Sequence, residues 1–377
     1  TNGKGSTGAY LTSILRAAGH KVGFMPKPHL VSYTERIELD GSPITEDDFV
    51  RTLERLRPVF DAVAADLGPP TEFEMLTVMG IAYLAPRIDR LVCEVGLGGR
   101  LDATNALDPG VAVITNVELD HQKYLGNTIG EIAREKAAII KPGDRVVTGC
   151  EGEAVEIVAE QSARVQAQLW RLGQELSVES SSRGWDGHLI TVRGPGFAHH
   201  GLHLPLLGQY QPANAALAVA AAHLLGVASD EAIRDGLAGT RWPGRLQLIA
   251  HDPRVVLDGG HNPAALMNAG IALRELIGAE RLVVLFAMLR ERDPAQLLGA
   301  LETMHPDAAV FTEPVSAHGH AVAPETLAEL YGRGATHVRP ARAGLDEARR
   351  LAGPSGNVLV CGSLYLVGEI LEVTGSS

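Results

Sequence analysis

Residues 91–105 read Leu-Val-Cys-Glu-Val-Gly-Leu-Gly-Gly-Arg-Leu-Asp-Ala-Thr-Asn, an apolar run that ends in an acidic residue and continues into glycines. The apolar run is typical of a buried strand, and Glu94 stands at its carboxyl end. Ligands of parallel sheets gather at that edge, where a carboxylate suits Mg²⁺ attached to phosphates. The alternative is a salt bridge between Glu94 and Arg100. The glycines favour the metal, because they let a ligand approach the backbone.

Strands and helices alternate on both sides of this stretch. Further apolar runs predict strands at 111–115, 145–148, 255–257, 281–285, 309–311 and 357–360. Patterns with a helical period lie between them, at 129–140, 213–225, 264–277 and 324–332. This alternation predicts an α/β fold with mostly parallel sheets, covered by helices on both faces.

Two segments interrupt the alternation. Residues 180–204 are rich in glycine and alternate polar with apolar side chains, which predicts a small antiparallel insert. Residues 240–245, Thr-Arg-Trp-Pro-Gly-Arg, predict a hinge, because proline and glycine stand just before a new β/α series. We therefore expect two domains, 1–245 and 246–377, in agreement with the length of the chain.

The composition excludes several classes of protein. With 45% hydrophobic and 21% charged residues, the chain can bury a substantial core. Its net charge of −12 repels phosphate backbones, which argues against nucleic acid or an acidic membrane as a partner. The cysteines Cys93, Cys150 and Cys361 are far apart and fit a reducing compartment. Neither a signal peptide nor an apolar run of ~18 residues is present, so we expect a cytoplasmic protein.

The first residues form a candidate phosphate-binding loop. Gly3-Lys4-Gly5-Ser6 precedes a helical pattern, so backbone N–H groups would hold phosphates while Lys4 meets the outer ones. The alternative is an ordinary turn. The strand that should feed such a loop is not in the sequence, and we expect that this N-terminal strand is missing.

Two further polar residues lie near the same predicted edge. His121 follows the strand at 111–115, in line with Glu94 and the phosphate loop. Lys136 lies on a helix beside an apolar segment, where desolvation would lower the pKa of its amine. From these residues alone, we interpret Lys136 as structural.

The second half adds three candidates. Asn214 opens a helix, Arg245 closes the hinge and Asp258 ends a strand. An arginine at a domain junction can reach a γ-phosphate across a closing cleft, and an aspartate at a strand end can bind ribose hydroxyls. Taken alone, each of these three residues fits an ordinary turn equally well.

Taken together, these stretches resemble the folylpolyglutamate synthase/dihydrofolate synthase family of Mur-type ligases. The stretch at 94–105 is the most specific of them, and the matches keep the family's order along nearly the whole chain. They comprise residues 1–6, 28–30, 35–37, 71–74, 94–105, 119–121, 125–126, 136–143, 208–214, 242–245, 258–263 and 361–366.

The resemblance implies a P-loop central domain of the Mur-ligase type, with a mostly parallel sheet, and a smaller Rossmann-like C-terminal domain. It implies ATP-dependent ligation of L-glutamate to dihydropteroate, to the glutamate tail of a folate, or to both. The carboxylate would first become an acyl phosphate by attack on the γ-phosphoryl of ATP, and the glutamate amine would then displace phosphate. The implied cofactors are ATP and Mg²⁺, and we expect a monomer whose other partners are its small-molecule substrates.

The same resemblance assigns roles to individual residues. The residues implied to bind ATP are Asn2, Gly3, Lys4, Gly5, Ser6, Asn214, Arg245 and Asp258. Those implied to bind Mg²⁺ are Ser6, Glu94, His121 and Lys136, the last as a carbamate. Those implied to contact the pterin or glutamate are Arg36, Thr71, Phe73, Leu101, Asp102, Ala103, His261 and Ser363. Those implied to act in catalysis are Lys4, Lys136, His121, Arg245 and His261.

One position departs from the family. Where its members have a metal-binding serine before Pro-His-Leu, this chain has Lys27. An ammonium has no lone pair to offer Mg²⁺. Either Lys27 supplies positive charge in place of part of the metal shell, or the loop has moved and Lys27 is a solvated surface charge.

Two other functions compete with this interpretation. The chain could be another Mur-type amide ligase that acts on a cell-wall precursor, although the segments at 94–105 and 362–366 argue against it. It could also be a non-catalytic nucleotide-binding module. A module without activity is disfavoured by the joint presence of Lys4, Glu94, His121, Lys136, Arg245 and Asp258.

Overall fold

The computed structural model describes residues 3–227, 229–332 and 334–375. The helices before residue 245 are α1 (Lys4–Ala17), α2 (Glu46–Leu67), α3 (Glu72–Leu84), α4 (Gln122–Leu125), α5 (Ile129–Ala137), α6 (Gly152–Arg164), α7 (Gln211–Leu224) and α8 (Asp230–Ala238). The strands there are β1 (Val22–Met25), β2 (Glu38–Leu39), β3 (Ser42–Pro43), β4 (Arg90–Cys93), β5 (Val111–Ile114), β6 (Arg145–Thr148), β7 (Gln168–Arg171), β8 (Ser177–Ser182), β9 (His188–Gly194) and β10 (Phe197–Leu204).

The elements after residue 245 alternate more regularly. The strands are β11 (Gln247–His251), β12 (Arg254–Leu257), β13 (Leu282–Phe286), β14 (Ala308–Phe311), β15 (Thr336–His337) and β16 (Asn357–Cys361). The helices are α9 (Pro263–Ile277), α10 (Pro294–Glu302), α11 (Pro324–Tyr331), α12 (Ala341–Ala352) and α13 (Leu364–Thr374).

Three sheets form the first part of the chain. The first has the order β3-β2-β1-β4, and β1 pairs with β4 in parallel. The second has the order β5-β6-β7 and is parallel throughout. The third, β10-β9-β8, is antiparallel and confirms the insert predicted at 180–204.

The facing edges of the first two sheets lie beside α1. Strands β4 and β5 are edges of different sheets, and both line a cavity of about 580 Å³ together with Lys4 and Phe24. The N-terminal strand expected ahead of the phosphate loop stays a prediction.

The second part is built on one six-stranded sheet with the order β11-β12-β16-β13-β14-β15. Its strands are parallel except β11, which pairs antiparallel with β12. Apolar cores on both faces bury β13 and β16 completely, as their continuous apolar sequences predict. The expected α/β class with mostly parallel sheets is confirmed, and the division at residue 245 stays a prediction.

Helix α7 connects several elements in the first part of the chain. Its sequence is rich in alanine, and small side chains allow it to be buried nearly all round. It packs against α1, β5, β6 and the antiparallel sheet, and its first turn carries Gln211 and Asn214. The start of α7 is thereby fixed against the start of α1.

Every helix in the described ranges 3–227, 229–332 and 334–375 is too short or too polar to cross a bilayer.

Candidate active site

A cavity of about 1,030 Å³ collects most of the predicted site residues from both parts of the chain. Its walls come from the start of α1, the ends of β1, β4 and β5, the start of α7, and the segment that links β12 to α9. The predicted residues that line it are Gly3, Lys4, Gly5, Ser6, Arg36, Phe73, Glu94, His121, Lys136, Asn214, Arg245, Asp258 and His261.

The phosphate-loop prediction falls on the first turn of α1. Gly3 precedes the helix with a φ of 72°, a backbone conformation that glycine adopts without strain. A Cβ on Gly3 would overlap the amide of Asn214, and a Cβ on Gly5 would lie 2.6 Å from the ring of Trp242. Both glycines therefore allow other parts of the chain to close on the loop. Asn2 lies outside the described residues.

A short chain of amides holds the Ser6 hydroxyl. Gln211 Nε2 donates to Ser6 Oγ over 3.3 Å, and Asn214 Nδ2 donates to Gln211 Oε1 over 3.3 Å. All three side chains are buried. Asn214 thus acts on the loop through Gln211, a residue that the sequence did not single out, because a glutamine at the start of a helix has no distinctive pattern.

Glu94 immediately follows β4 and faces three positive groups. Its Oε2 accepts a hydrogen bond of 3.0 Å from the backbone N–H of Lys27. Burial raises the pKa of the Glu94 carboxyl, whereas Lys4, the Lys27 N–H and Arg245 act in the opposite direction. A carboxylate in this position stabilises a cation bound beside it.

Lys136 lies in the last turn of α5, and the glycine loop holds that turn in place. Arg100 N donates to Glu135 O over 3.0 Å, and a Cβ on Gly99 would lie 2.6 Å from the same oxygen. Burial and, to a smaller extent, the positive charge of Lys4 lower the pKa of the Lys136 amine to about 8. A large fraction of this amine is therefore neutral near pH 8, so the residue is not an ordinary solvated lysine.

His121 reaches the same cavity from the end of β5. It has a φ of 51°, and its imidazole is 44% exposed, with Nε2 3.7 Å from Asp120 Oδ2. Its exposure leaves the ring accessible to a ligand in the cavity.

The described side chains that could bind Mg²⁺ form an incomplete set of ligands by themselves. In the described ranges no group of three or more His, Cys, Asp or Glu side chains could hold a metal ion. Magnesium usually keeps several waters and takes one or two carboxylates together with substrate phosphates. The Ser6 hydroxyl, the Glu94 carboxylate and the His121 imidazole fit that mode, in which phosphates supply further ligands.

The second part contributes a compact polar turn. Asp258 accepts hydrogen bonds from the N–H groups of Gly260 and Leu246, over 2.8 and 3.1 Å, and is buried. His261 Nδ1 lies 2.9 Å from the carbonyl oxygen of Gly259, so this nitrogen is the protonated one. Burial lowers the pKa of His261, which keeps the ring neutral.

Besides His261, two of the predicted substrate residues line the cavity, Arg36 and Phe73. Arg36 Nε donates to His29 Nδ1 over 2.8 Å and lies 5.6 Å from the centre of the Tyr33 ring. Phe73 lies on α3 against the loop, where a Cβ on Gly96 would come within 2.6 Å of its ring. Arg36 and Phe73 therefore add a cationic and an aromatic side chain to the cavity wall.

The remaining predicted substrate residues lie outside the cavity wall, and their binding roles stay predictions. Thr71 caps α3 through a reciprocal pair of hydrogen bonds with Glu74. Leu101 is 80% exposed, and Ala103 begins a short 3₁₀ turn. Ser363 stands before α13 and is buried, and its hydroxyl has no hydrogen-bond partner in the part of the chain that the structure describes.

Asp102 organises the glycine loop through both carboxylate oxygens. Oδ2 accepts from the N–H groups of Gly96 and Leu97, and Oδ1 accepts from the N–H and hydroxyl of Thr104. Replacement by asparagine turns one acceptor into a donor that faces other donors. We expect Asp102→Asn to lower the free energy of unfolding by about 2 kcal/mol in chemical denaturation.

The matched control is Asp66→Asn, a change at an exposed residue of α2. It should leave the unfolding curve unchanged. If the two variants unfold alike, Asp102 does not support the loop.

The chain is similar to known proteins both in sequence and in structure. Residues 67–222 match the family model described as the Mur ligase middle domain, and residues 244–364 match the Mur ligase, glutamate ligase domain. The dihydrofolate synthase/folylpolyglutamate synthase of Escherichia coli is 35% identical, over 99% of this chain and 85% of the relative.

Two solved structures agree over the entire chain. The folylpolyglutamate synthase of Mycobacterium tuberculosis, complexed with ADP and AMPPCP, superposes with a TM-score of 0.91 and 31% identity, covering 100% of this chain and 89% of the other. Escherichia coli FolC in complex with DHPP and ADP superposes with a TM-score of 0.88 and 33% identity, covering 100% and 87%.

Proposed function

The chain belongs to the folylpolyglutamate synthase/dihydrofolate synthase family, and from this premise we propose which of its residues perform the reaction and on which acid. It is an ATP-dependent ligase that joins L-glutamate to a carboxyl group. The observation that supports the residue assignments is the single cavity in which the phosphate loop, Glu94, Lys136 and the Asp258–His261 turn meet.

The first step needs phosphate positioning. A carboxylate oxygen of the acid attacks the γ-phosphorus of ATP, and the bond from this phosphorus to the β–γ bridging oxygen breaks. ADP departs, and the acid is now an acyl phosphate. In our proposal the N–H groups at the start of α1 and the ammonium of Lys4 hold the phosphates. Arg245, from the hinge, stabilises the charge that develops on the transferred group.

Magnesium, when bound, neutralises charge on the phosphates. Ser6, Glu94 and His121 are the side chains that would hold it, with a carbamylated Lys136 as a further oxygen ligand. The hydrogen bond from Gln211 fixes the Ser6 hydroxyl in place.

The second step needs a neutral amine on the incoming glutamate. That amine attacks the acyl carbon, phosphate leaves, and the nitrogen loses a proton as the amide forms. In our proposal His261 accepts this proton at Nε2, because its Nδ1 proton is donated to the carbonyl of Gly259. The lowered pKa of His261 keeps Nε2 available as a base.

We propose a pterin-bearing acid, dihydropteroate or a folate with its glutamate tail, as the acceptor. Phe73 and the Gly96 loop offer an aromatic face and a close backbone approach at one end of the cavity. A planar ring system binds well against such a surface. The reacting carboxylate of the acid then points towards the phosphate loop.

The decisive experiment measures ADP release with each acceptor. We expect ADP release only when ATP, Mg²⁺, L-glutamate and either dihydropteroate or tetrahydrofolate are all present. The ratio of kcat/KM for the two acids tells which acceptor is preferred. A cell-wall precursor with the same ATP and Mg²⁺ serves as the control, and ADP release with it alone would contradict the proposal.

The remaining assignments are also proposals. A monomer suffices for this chemistry, because one chain supplies the cavity walls from both 1–245 and 246–377. The three thiols Cys93, Cys150 and Cys361 form no disulfide, which supports a cytoplasmic location.

A further inference from the structure

Lys27 follows β1 and contributes to the wall of the main cavity. Its Nζ has essentially no contact with solvent, and no described residue forms a hydrogen bond with it. The ammonium lies 4.0 Å from the centre of the Phe73 ring, over its face. The interpretation of Lys27 as a solvated surface charge is therefore wrong.

The two carboxylates near Lys27, those of Glu94 and Asp102, accept hydrogen bonds from groups other than its ammonium. Glu94 accepts the backbone N–H of Lys27 itself, and Asp102 accepts four donors of the glycine loop. Both carboxylates attract the ammonium at a distance, but neither is within salt-bridge range among the described contacts. The Phe73 ring supplies the one close favourable contact that the structure records.

A buried ammonium with three N–H donors and no acceptor is unfavourable in the ligand-free protein. Its energy falls sharply when an oxyanion enters the cavity beside it, because a charge-assisted hydrogen bond forms in a region of low dielectric constant. The arrangement is therefore suited to an anionic ligand rather than to the stability of the protein.

The position of Lys27 indicates which anion it meets. The residue joins the Phe73 end of the cavity to Glu94, which lies near Lys4 and the phosphate loop. In the proposed reaction, the group that connects an aromatic acid to the phosphates is the reacting carboxylate.

We propose that Lys27 binds the reacting carboxylate of the acid substrate and orients it for attack on ATP, as a fixed monovalent cation beside Glu94. The proposal rests on the proposed function, since it assumes an aromatic acid in this cavity. Lys27 is then a substrate-binding residue that determines affinity for the ionised acid, and Mg²⁺ is held by Ser6, Glu94 and His121 without its help.

The test compares pteroate with its carboxamide, which lacks the negative charge but keeps the rings. In wild type we expect pteroate to bind at least tenfold more tightly than the carboxamide in calorimetric titration. In Lys27→Met, which keeps the length of the side chain and removes the charge, this preference should vanish. Lys27→Arg should retain part of it.

Three controls separate the possible outcomes. Lys123→Met removes an exposed lysine near the same rim and should keep the wild-type preference. The melting temperature of Lys27→Met should not fall, because the lost ammonium was buried without a hydrogen-bond partner among the described residues. The KM for ATP and the Mg²⁺ dependence of turnover should also stay unchanged in Lys27→Met.

The outcomes that overturn the proposal differ from those that overturn the function. If Lys27→Met still prefers pteroate tenfold, or if only its KM for ATP rises, Lys27 does not bind the carboxylate, although glutamate ligation by wild type would stand. If wild type neither binds pteroate nor ligates glutamate to a pterin acid, the proposed function fails and Lys27 loses its assigned ligand.

Discussion

Lys136→Ala is expected to lower kcat on the order of 100- to 1,000-fold, a loss typical of removing one group that stabilises the transition state. The amine of Lys136 has a pKa of about 8 because it is buried and because Lys4 repels its proton. The neutral amine can attack CO₂ and lose a proton, giving a carbamate. In the proposed site the carbamate would be an anionic oxygen ligand on a long side chain, in the cavity that Glu94 and His121 also line.

The loss of activity should not come from unfolding. Lys136 is only partly buried, so its truncation should shift the melting temperature by no more than about 2 °C. Short carboxylic acids such as acetate should restore part of the activity, since they can fill the space left by the carbamate. Lys123→Ala, a change at an exposed lysine, should behave like wild type.

The carbamate itself has a spectroscopic signature. Wild type in ¹³C-bicarbonate should show a carbamate carbon signal by NMR that is absent in Lys136→Ala. The signal should grow as the pH rises through about 8, because only the neutral amine reacts. Wild-type turnover in Lys136→Ala would exclude a role for this residue.

The fold was largely predictable because the chain alternates buried strands with amphipathic helices. The strand predicted at 281–285 is observed as Leu282–Phe286, and the helix predicted at 264–277 as Pro263–Ile277. Their boundaries follow from local signals, such as proline in the first helical turn. The antiparallel pairing of β11 was not predictable, since pairing direction depends on tertiary contacts that periodicity does not encode.

The site was predictable where a residue type has a characteristic position. Glu94 and Asp258 follow strands at the edge where ligands of parallel sheets bind, and both line the cavity. Gln211 and Trp242 were missed as contacts of the loop, because their roles depend on packing between distant segments. Lys27 illustrates the same limit, since its sequence neighbours do not reveal that its ammonium is buried without a partner.

Lys4→Met is expected to lower kcat on the order of 1,000-fold or more, as when other cations that act on a transferred phosphoryl group are lost. Lys4 begins α1 and lines the cavity close enough to Glu94 and Lys136 to affect the pKa of both. Its charge therefore acts on Glu94 and Lys136, two of the proposed metal ligands, and in our proposal it also holds the phosphates. Methionine keeps the length of the side chain and its propensity for helix.

The same substitution makes a second prediction that does not depend on turnover. The ammonium of Lys4 lowers the pKa of Lys136, so its removal should raise that pKa above about 8. The pH at which the carbamate signal appears should then move upwards in Lys4→Met.

Lys21→Met, which removes an exposed lysine after α1, is the matched control and should change neither the rate nor the signal. A normal rate in Lys4→Met would show that the start of α1 does not hold the phosphates. A slow rate with an unmoved signal would instead mean that Lys4 acts on ATP alone and is too well screened to influence Lys136.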